Sequence, residues 1–280
     1  MKLVRSQKTM RSWVKGKRIG LVPTMGYLHE GHAALVRRAK RENDIVVVSI
    51  FVNPTQFGPK EDFKKYPRNL RRDLALLEKE KVDAVVVPSS KALYPEGVRN
   101  SVKAGPVSRP LEGPFRPGHF DGVCTVLKKL FEAVQPNKAY FGQKDFQQVR
   151  VVHDMVMRLK MPVRVVVCPT VREKDGLAMS SRNVYLSNTE RKIAPVLYQT
   201  LLLAKKEIQK GEKPGTVVKT AKTLLSLCGF KVQYFSIASA DTLKPIRNAE
   251  KYKGKIVVAA ATYLGKTRLI DNVVFDLRRR

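Results

Sequence analysis

Between residues 18 and 168, short apolar runs alternate with stretches in which apolar residues recur every three or four positions, the rhythm of strands joined by helices. Residues 18–23 (RIGLVP) and 45–52 (IVVVSIFV) read as buried strands, the second rich in β-branched side chains, with a helix over 31–43 between them. Leu70, Leu74 and Leu77 mark a helix over 70–80, and a third strand follows at 84–87. A helix over 122–134, strands at 138–141 and 163–168 and a helix over 146–159 complete the series. This order predicts an α/β fold: a Rossmann-like, doubly wound parallel sheet with helices on both faces.

Beyond about Thr170 the pattern changes. A polar turn at 173–176 leads to a long helix over 189–210, a Gly/Pro break at 211–215 and a second helix ending at Leu227. Strands are expected at 231–238, 256–263 and 267–270, which together describe a smaller α+β C-terminal domain. The boundary is placed near 175, giving domains 1–175 and 176–280.

Composition narrows the class without changing this picture. With 43% apolar and 28% charged residues the 280-residue chain has an ordinary folded-domain profile, which excludes disordered, collagen-like and disulfide-stapled classes. Cys124, Cys168 and Cys228 are odd in number, widely spaced and without a CxxC pair, so a reducing, cytoplasmic setting is expected. No apolar run is long enough to cross a bilayer. Met1–Thr9 is charged with no apolar stretch after it, so no secretory leader is expected.

The net charge of +30 invites a nucleic-acid reading, because such a surface attracts phosphate backbones. Yet the excess is spread over both expected domains, the only basic tail is Arg278–Arg280, and basic residues are not interleaved with aromatics as a base-stacking platform needs. A solvated cationic surface is the expectation, and specific nucleic-acid binding is not.

The candidate chemistry gathers where strands hand over to helices. The run 23–32, PTMGYLHEGH, follows the first expected strand and opens the first helix, the mouth of the ligand crevice in an open α/β sheet. A helix N-terminus offers backbone N–H groups and a positive dipole end to phosphate. Gly26 and Gly31 allow close backbone approach, and His29 and His32 can donate to a phosphate whose charge builds up in a transition state. Two other readings compete: a zinc site, for which HEGH lacks the spacing of HExxH, and two histidines that merely cap the helix. Asn53 and Gln56 follow the second strand, where amides suit hydroxyls and carboxylates, although an ordinary Asn-Pro turn reads the same way. Lys144 and Asp145, after the strand at 138–141, suit phosphate and a ribose hydroxyl or a helix cap. Residues 177–183 place two hydroxyls and a guanidinium where they can close over a triphosphate.

The HxGH run followed by a basic-hydroxyl loop resembles the HIGH and KMSKS pair of nucleotidyltransferase-superfamily enzymes. More closely, PTMGYLHEGH (23–32), FVNPTQFGP (51–59), YPR (66–68), RPGHFDGVCTVL (116–127), YFGQKDFQQ (140–148), REKDGLAMSSRNVYLS (172–187) and RLIDN (268–272) together resemble the pantothenate synthetase (pantoate–β-alanine ligase) family over nearly the entire chain.

That resemblance implies an ATP- and pantoate-binding domain followed by a C-terminal lid that closes on ATP. It implies a two-step reaction with Mg2+ and ATP, in which pantoate is adenylated with release of pyrophosphate and β-alanine then displaces AMP. It assigns Met25, Gly26, Tyr27, Leu28, His29, Glu30, Gly31 and His32 to ATP, with His32 the proton donor and His29 on the same phosphates. Gln56 would hold pantoate and β-alanine, Gln148 would be a second pantoate contact, and Asn53 would touch the phosphate or amine side. Gly142, Gln143, Lys144 and Asp145 would hold ATP, with Lys144 near the α-phosphate. Val171 would meet adenine, and Met179, Ser180, Ser181 and Arg182 the β- and γ-phosphates. Asp73 is a candidate for helping to hold magnesium, which would otherwise ride on the nucleotide. The family resemblance also implies a homodimer. The net charge of +30 departs from the family without altering a motif residue.

Overall fold

The computed structural model describes residues 1–4, 16–59 and 61–277. Most of Met1–Thr9, on which no leader is expected, and the basic Arg278–Arg280 lie outside the described residues. The chain divides into two compact units. The first comprises Met1–Arg109, Gly113–Gln143 and Gln148–Pro169, and the second Pro110–Glu112, Lys144–Gln147 and Thr170–Arg280.

The first unit carries β1 (Lys2–Val4), β2 (Ile19–Thr24), α1 (Glu30–Glu42), β3 (Ile45–Ile50), α2 (Leu70–Lys79), β4 (Ala84–Val86), α3 (Ser90–Leu93), α4 (His119–Val134), β5 (Lys138–Gly142) and β6 (Arg164–Cys168), and most of α5 (Phe146–Arg158). The strands form one parallel sheet in the order β1-β4-β3-β2-β5-β6. The expected doubly wound sheet is therefore present, with β1 as an edge strand that the apolar pattern did not signal. Alternation along the strands serves two cores. Leu21, Val47, Ala84 and Ala139 face α4 and α5, and Val22, Val46, Val48, Val85 and Tyr140 face α1 and α2. The order reverses between β2 and β5, so the loops leaving these hydrogen-bonded neighbours open at the topological switch point.

The second unit contains α6 (Asn188–Ile193), α7 (Val196–Gln209), α8 (Pro214–Leu227) and an antiparallel sheet of β7 (Phe230–Ser239), β8 (Lys255–Leu264) and β9 (Thr267–Asp276). Its core joins Leu197, Leu201 and Ile208 of α7 to Leu225 of α8 and to Ile256, Val258 and Phe275 of the sheet. The smaller α+β element pattern is thus also present, with two differences from expectation. The single helix over 189–210 is two helices, interrupted at Ala194 and Pro195, because Pro195 has no N–H to continue the ladder. Strand β9 runs six residues beyond Ile270, through Asp271 and Asn272, whose side chains are buried.

Candidate active site

The loop from β2 to α1 is shaped by a carboxylate 45 residues away. Gly26 (φ 86°) and Tyr27 (φ 53°) both sit in the left-handed region, a costly conformation for tyrosine. A Cβ on Gly26 would lie 3.0 Å from Asp73 Oδ2 and 3.1 Å from Ile50 Cγ2, so glycine fits where a side chain would crowd. Asp73, 1% exposed on α2, accepts the N–H of Tyr27 at 2.8 Å and that of Leu28 at 2.7 Å, and these two bonds hold the turn. Leu28 is buried beneath it, and the Arg72 guanidinium lies over the Tyr27 ring at 4.9 Å.

His29 is the N-cap of α1. Its Nδ1 accepts the N–H of Gly31 at 3.1 Å, while His32 Nδ1 accepts the N–H of His29 at 3.3 Å. The rings stand 4.2 Å apart at 52°. Each Nδ1 is an acceptor, so each neutral imidazole carries its proton on Nε2. The capping and phosphate readings are therefore compatible: the cap uses each Nδ1 with the N–H groups of His29 and Gly31, and Nε2 is the protonated nitrogen of each ring. Glu30 directs its carboxylate to Arg37, which holds it below the ordinary range, so only its backbone remains for a ligand.

At the end of β3, Asn53 caps a 3-10 turn, Pro54–Gln56. Asn53 is 1% exposed and fully committed. Its Oδ1 accepts from Tyr94 Oη at 2.7 Å, and its Nδ2 donates to Gln56 Oε1 and to the Gly122 carbonyl, each at 3.2 Å. Gln56 Nε2 lies 2.9 Å from Met25 Sδ, linking this turn to the β2–α1 loop. A Cβ on Gly122 would stand 2.3 Å from the Thr55 carbonyl oxygen, so glycine lets α4 approach the turn. The Gln56 carbonyl faces buried His119 Nδ1 at 2.8 Å, Arg116 Nη1 faces His119 Nε2 at 3.0 Å, and Arg116 forks onto Glu61 at 2.8 and 2.6 Å. Gly142, Gln143 and Gln148 are half-buried at and beyond the end of β5.

In the second unit, Lys144 Nζ is 3.8 Å from Asp145 Oδ1, a loose pair, and the Lys144 carbonyl accepts from Asn272 Nδ2 at 2.9 Å. The Val171 carbonyl accepts the Met179 N–H at 3.0 Å. Ser180 caps the 3-10 turn Ser181–Tyr185, accepting the Arg182 N–H at 3.3 Å. Arg172 forks onto buried Asp271 at 2.6 and 2.9 Å; burial pushes that carboxyl above the usual aspartate value and Arg172 pulls it back. Burial likewise pushes the Cys124 thiol up to about 12, far from a thiolate nucleophile at neutral pH.

The described residues include no group of three or more His, Cys, Asp or Glu able to hold a metal, and Asp73 commits both oxygens to backbone N–H groups. The residues present do not fit a resident magnesium centre. The bracing residues Tyr94, Arg116, His119, Glu61, Arg172, Asp271 and Asn272 were not marked out by the sequence. Several lie within the stretches 116–127 and 268–272, but a buried brace carries no local pattern.

A parallel sheet whose switch point presents paired imidazole donors and a buttressed amide defines an α/β enzyme of the Rossmann-like class. The chain matches the pantoate–β-alanine ligase family over residues 2–274. It is 54% identical over 270 residues to the pantothenate synthetase of Pseudothermotoga lettingae, covering 96% of this chain and 95% of that protein. Its fold is similar to that of pantothenate synthetase from Thermus thermophilus, with TM-score 0.92 and 46% identity, covering 98% and 99% of the two chains. It is also similar to the Francisella tularensis pantoate–β-alanine ligase complexed with β-γ ATP and β-alanine, with TM-score 0.78 and 36% identity over 98% and 97%. The chain belongs to the pantoate–β-alanine ligase family and is a ligase.

Proposed function

We propose that the chain condenses (R)-pantoate with β-alanine using ATP, giving pantothenate, AMP and pyrophosphate through a pantoyl adenylate. The observation that carries this reading is the histidine pair, whose Nδ1 atoms both accept backbone N–H bonds and so set both Nε2 atoms as donors. The ATP and β-alanine in the complex of the Francisella relative support it. In the first step a pantoate carboxylate oxygen attacks the α-phosphorus and the bond to pyrophosphate breaks. In the second the β-alanine nitrogen attacks the acyl carbon, the bond to the AMP oxygen breaks, and the amine loses a proton. Neutral imidazole donors stabilise growing phosphoryl charge without a second cation to desolvate.

In this reading His32 donates to the reacting phosphate, His29 to its neighbours, and Lys144 adds a charge at the α-phosphate. Residues 25–32, Gly142, Gln143, Asp145, Val171 and Met179–Arg182 hold ATP. Gln56 and Gln148 hold pantoate, with Gln56 also meeting β-alanine; Asn53 and Asp73 act by positioning. Magnesium enters as part of the nucleotide substrate. The chain works in the cytoplasm as a homodimer, as the family resemblance implies, and its unpaired cysteines suit a reducing compartment.

The test is release of pyrophosphate and AMP from MgATP with pantoate or β-alanine omitted in turn. Pyrophosphate that requires pantoate, with AMP and pantothenate requiring β-alanine as well, is the expected result. Pyrophosphate release independent of pantoate would overturn the reading.

A further inference from the structure

The two segments of the second unit proposed to hold ATP, 144–145 and 179–182, are distant in sequence but fastened to one buried group. Asp271 and Asn272 are consecutive on β9, 4% and 3% exposed, and their partners on β8 are Ala260 and Ala259. Small side chains opposite leave room for polar groups in the sheet. Asp271 receives the Arg172 fork, and its Oδ1 also accepts the Asn272 N–H at 2.7 Å. Asn272 Nδ2 then donates to the Lys144 carbonyl at 2.9 Å.

On the other side Arg172 Nη1 donates to the Gly176 carbonyl at 3.1 Å, and its guanidinium lies 3.5 Å from the centre of the Tyr198 ring. Arg172 bridges Ala178, and the next residue, Met179, donates its N–H to Val171. Asn183 Nδ2 closes the turn onto the Ala178 carbonyl at 3.1 Å.

We propose that Arg172, Asp271 and Asn272 are positioning residues that set the Lys144 peptide and the 179–182 turn as one phosphate-handling assembly. The inference rests on the roles proposed above for those two segments and deepens them. A bidentate fork onto a carboxylate fixes orientation as well as charge, so the three residues form a jig rather than a simple staple. Lys144 is a flexible four-carbon stem, and where its ammonium can reach is set by its own peptide, which Asn272 holds. Displacement of a catalytic group by about 1 Å can cost on the order of 100-fold in rate. A staple that only stabilised β9 would affect all substrates and all variants alike.

The experiment is a double-mutant cycle of Asn272→Ala and Lys144→Ala in the full chain. It is read by single-turnover pyrophosphate release, KM for pantoate, calorimetric binding of a non-hydrolysable ATP analogue, and thermal melting. Asn272→Ala is expected to lower kcat/KM for MgATP by about 10- to 100-fold, a loss within that expected for a misplaced catalytic group, with the pantoate KM unchanged. In the Lys144→Ala background the same substitution is expected to cost little more. Independent, multiplying losses, or an equal loss toward pantoate, overturn the inference. Should Lys144→Ala by itself leave turnover intact, the role proposed for Lys144 falls instead. If Asn272→Ala fails to fold, Arg172→Lys, which keeps the charge and loses the fork, takes its place in the cycle with the same two outcomes.

Discussion

Asp73 accepts the backbone N–H of Leu28 at 2.7 Å while its second oxygen takes that of Tyr27 at 2.8 Å, so one carboxylate on α2 holds the left-handed turn that leads into the histidine pair. Asp73→Asn keeps the shape but removes one acceptor and the charge. Bonds to a charged group are worth about 1.5–3 kcal/mol, and the buried N–H left unpaired carries a further penalty. The expected outcome is a lower melting temperature and a raised KM for MgATP, with the magnesium concentration for half-maximal rate unchanged at saturating ATP. A shift in magnesium dependence with no loss of stability would make Asp73 a metal ligand instead.

His32→Ala removes an Nε2 donor, and loss of one such donor to a charged transition state costs about 10²–10³ in kcat. His32→Gln places an amide N–H close to the Nε2 position and should recover part of that loss, whereas His32→Asn, which mimics Nδ1, should not. Rates of pyrophosphate release for the three variants decide this. Equal defects in all three would mean that the imidazole acts by some means other than an Nε2 hydrogen bond.

The fold was largely legible because its strands announce themselves: Ile45–Ile50 is buried at every position and β-branched at all but Ser49, and Leu70, Leu74 and Leu77 mark α2. What was missed has local physical reasons. Helix α4 begins at His119, three residues before the expected start at 122, and its N-cap is left-handed Gly118 (φ 77°), which has no side chain to mark the start in the sequence. Strand β9 outruns its apolar start because Asp271 and Asn272 are buried and satisfied by Arg172 and the Lys144 carbonyl, partners 99 and 128 residues away. The loop residues of the candidate site stood out in the sequence, since strand-to-helix junctions show in the pattern. Their braces did not: Tyr94 and His119 matter only through contacts made across the fold, and Asp73, singled out for magnesium, instead holds the Tyr27 and Leu28 N–H groups.

Glu42, at the end of α1, receives Lys138 Nζ at 3.0 Å, an Arg38 bond and the Tyr140 hydroxyl at 3.0 Å. The Lys138 and Arg38 contacts hold its carboxyl down at about 2, below the ordinary value of 4.5. A depressed folded-state value means that the stabilisation is fully present above the unfolded-state value and is lost as pH falls through the folded-state one. Glu42→Gln should therefore lower the melting temperature near neutrality and flatten its decline between pH 4.5 and about 2. Melts across that range check the point; an unchanged acid limb would assign acid sensitivity to other carboxylates, Asp44 beside Arg18 first among them.

The Gln56 side chain is held by Asn53 and Met25 while its carbonyl is held by His119, so the residue is fixed at both ends. If Gln56 binds pantoate and β-alanine, Gln56→Ala raises the KM for both and leaves that for ATP unchanged. His119→Phe keeps the ring volume but removes the Nδ1 donor, and the loss of one hydrogen bond worth about 1 kcal/mol predicts a milder defect of the same kind, about fivefold. His119→Asn restores a donor near the Nδ1 position and should return pantoate affinity, although it cannot reach Arg116 as Nε2 does. That separates the two halves of the brace. Recovery in His119→Asn places the effect in the bond to the Gln56 carbonyl, whereas a persistent defect places it in the Arg116–Glu61 fork, which Glu61→Gln should then reproduce. A defect confined to ATP in any of these variants would remove Gln56 from the acid-binding side of the reaction.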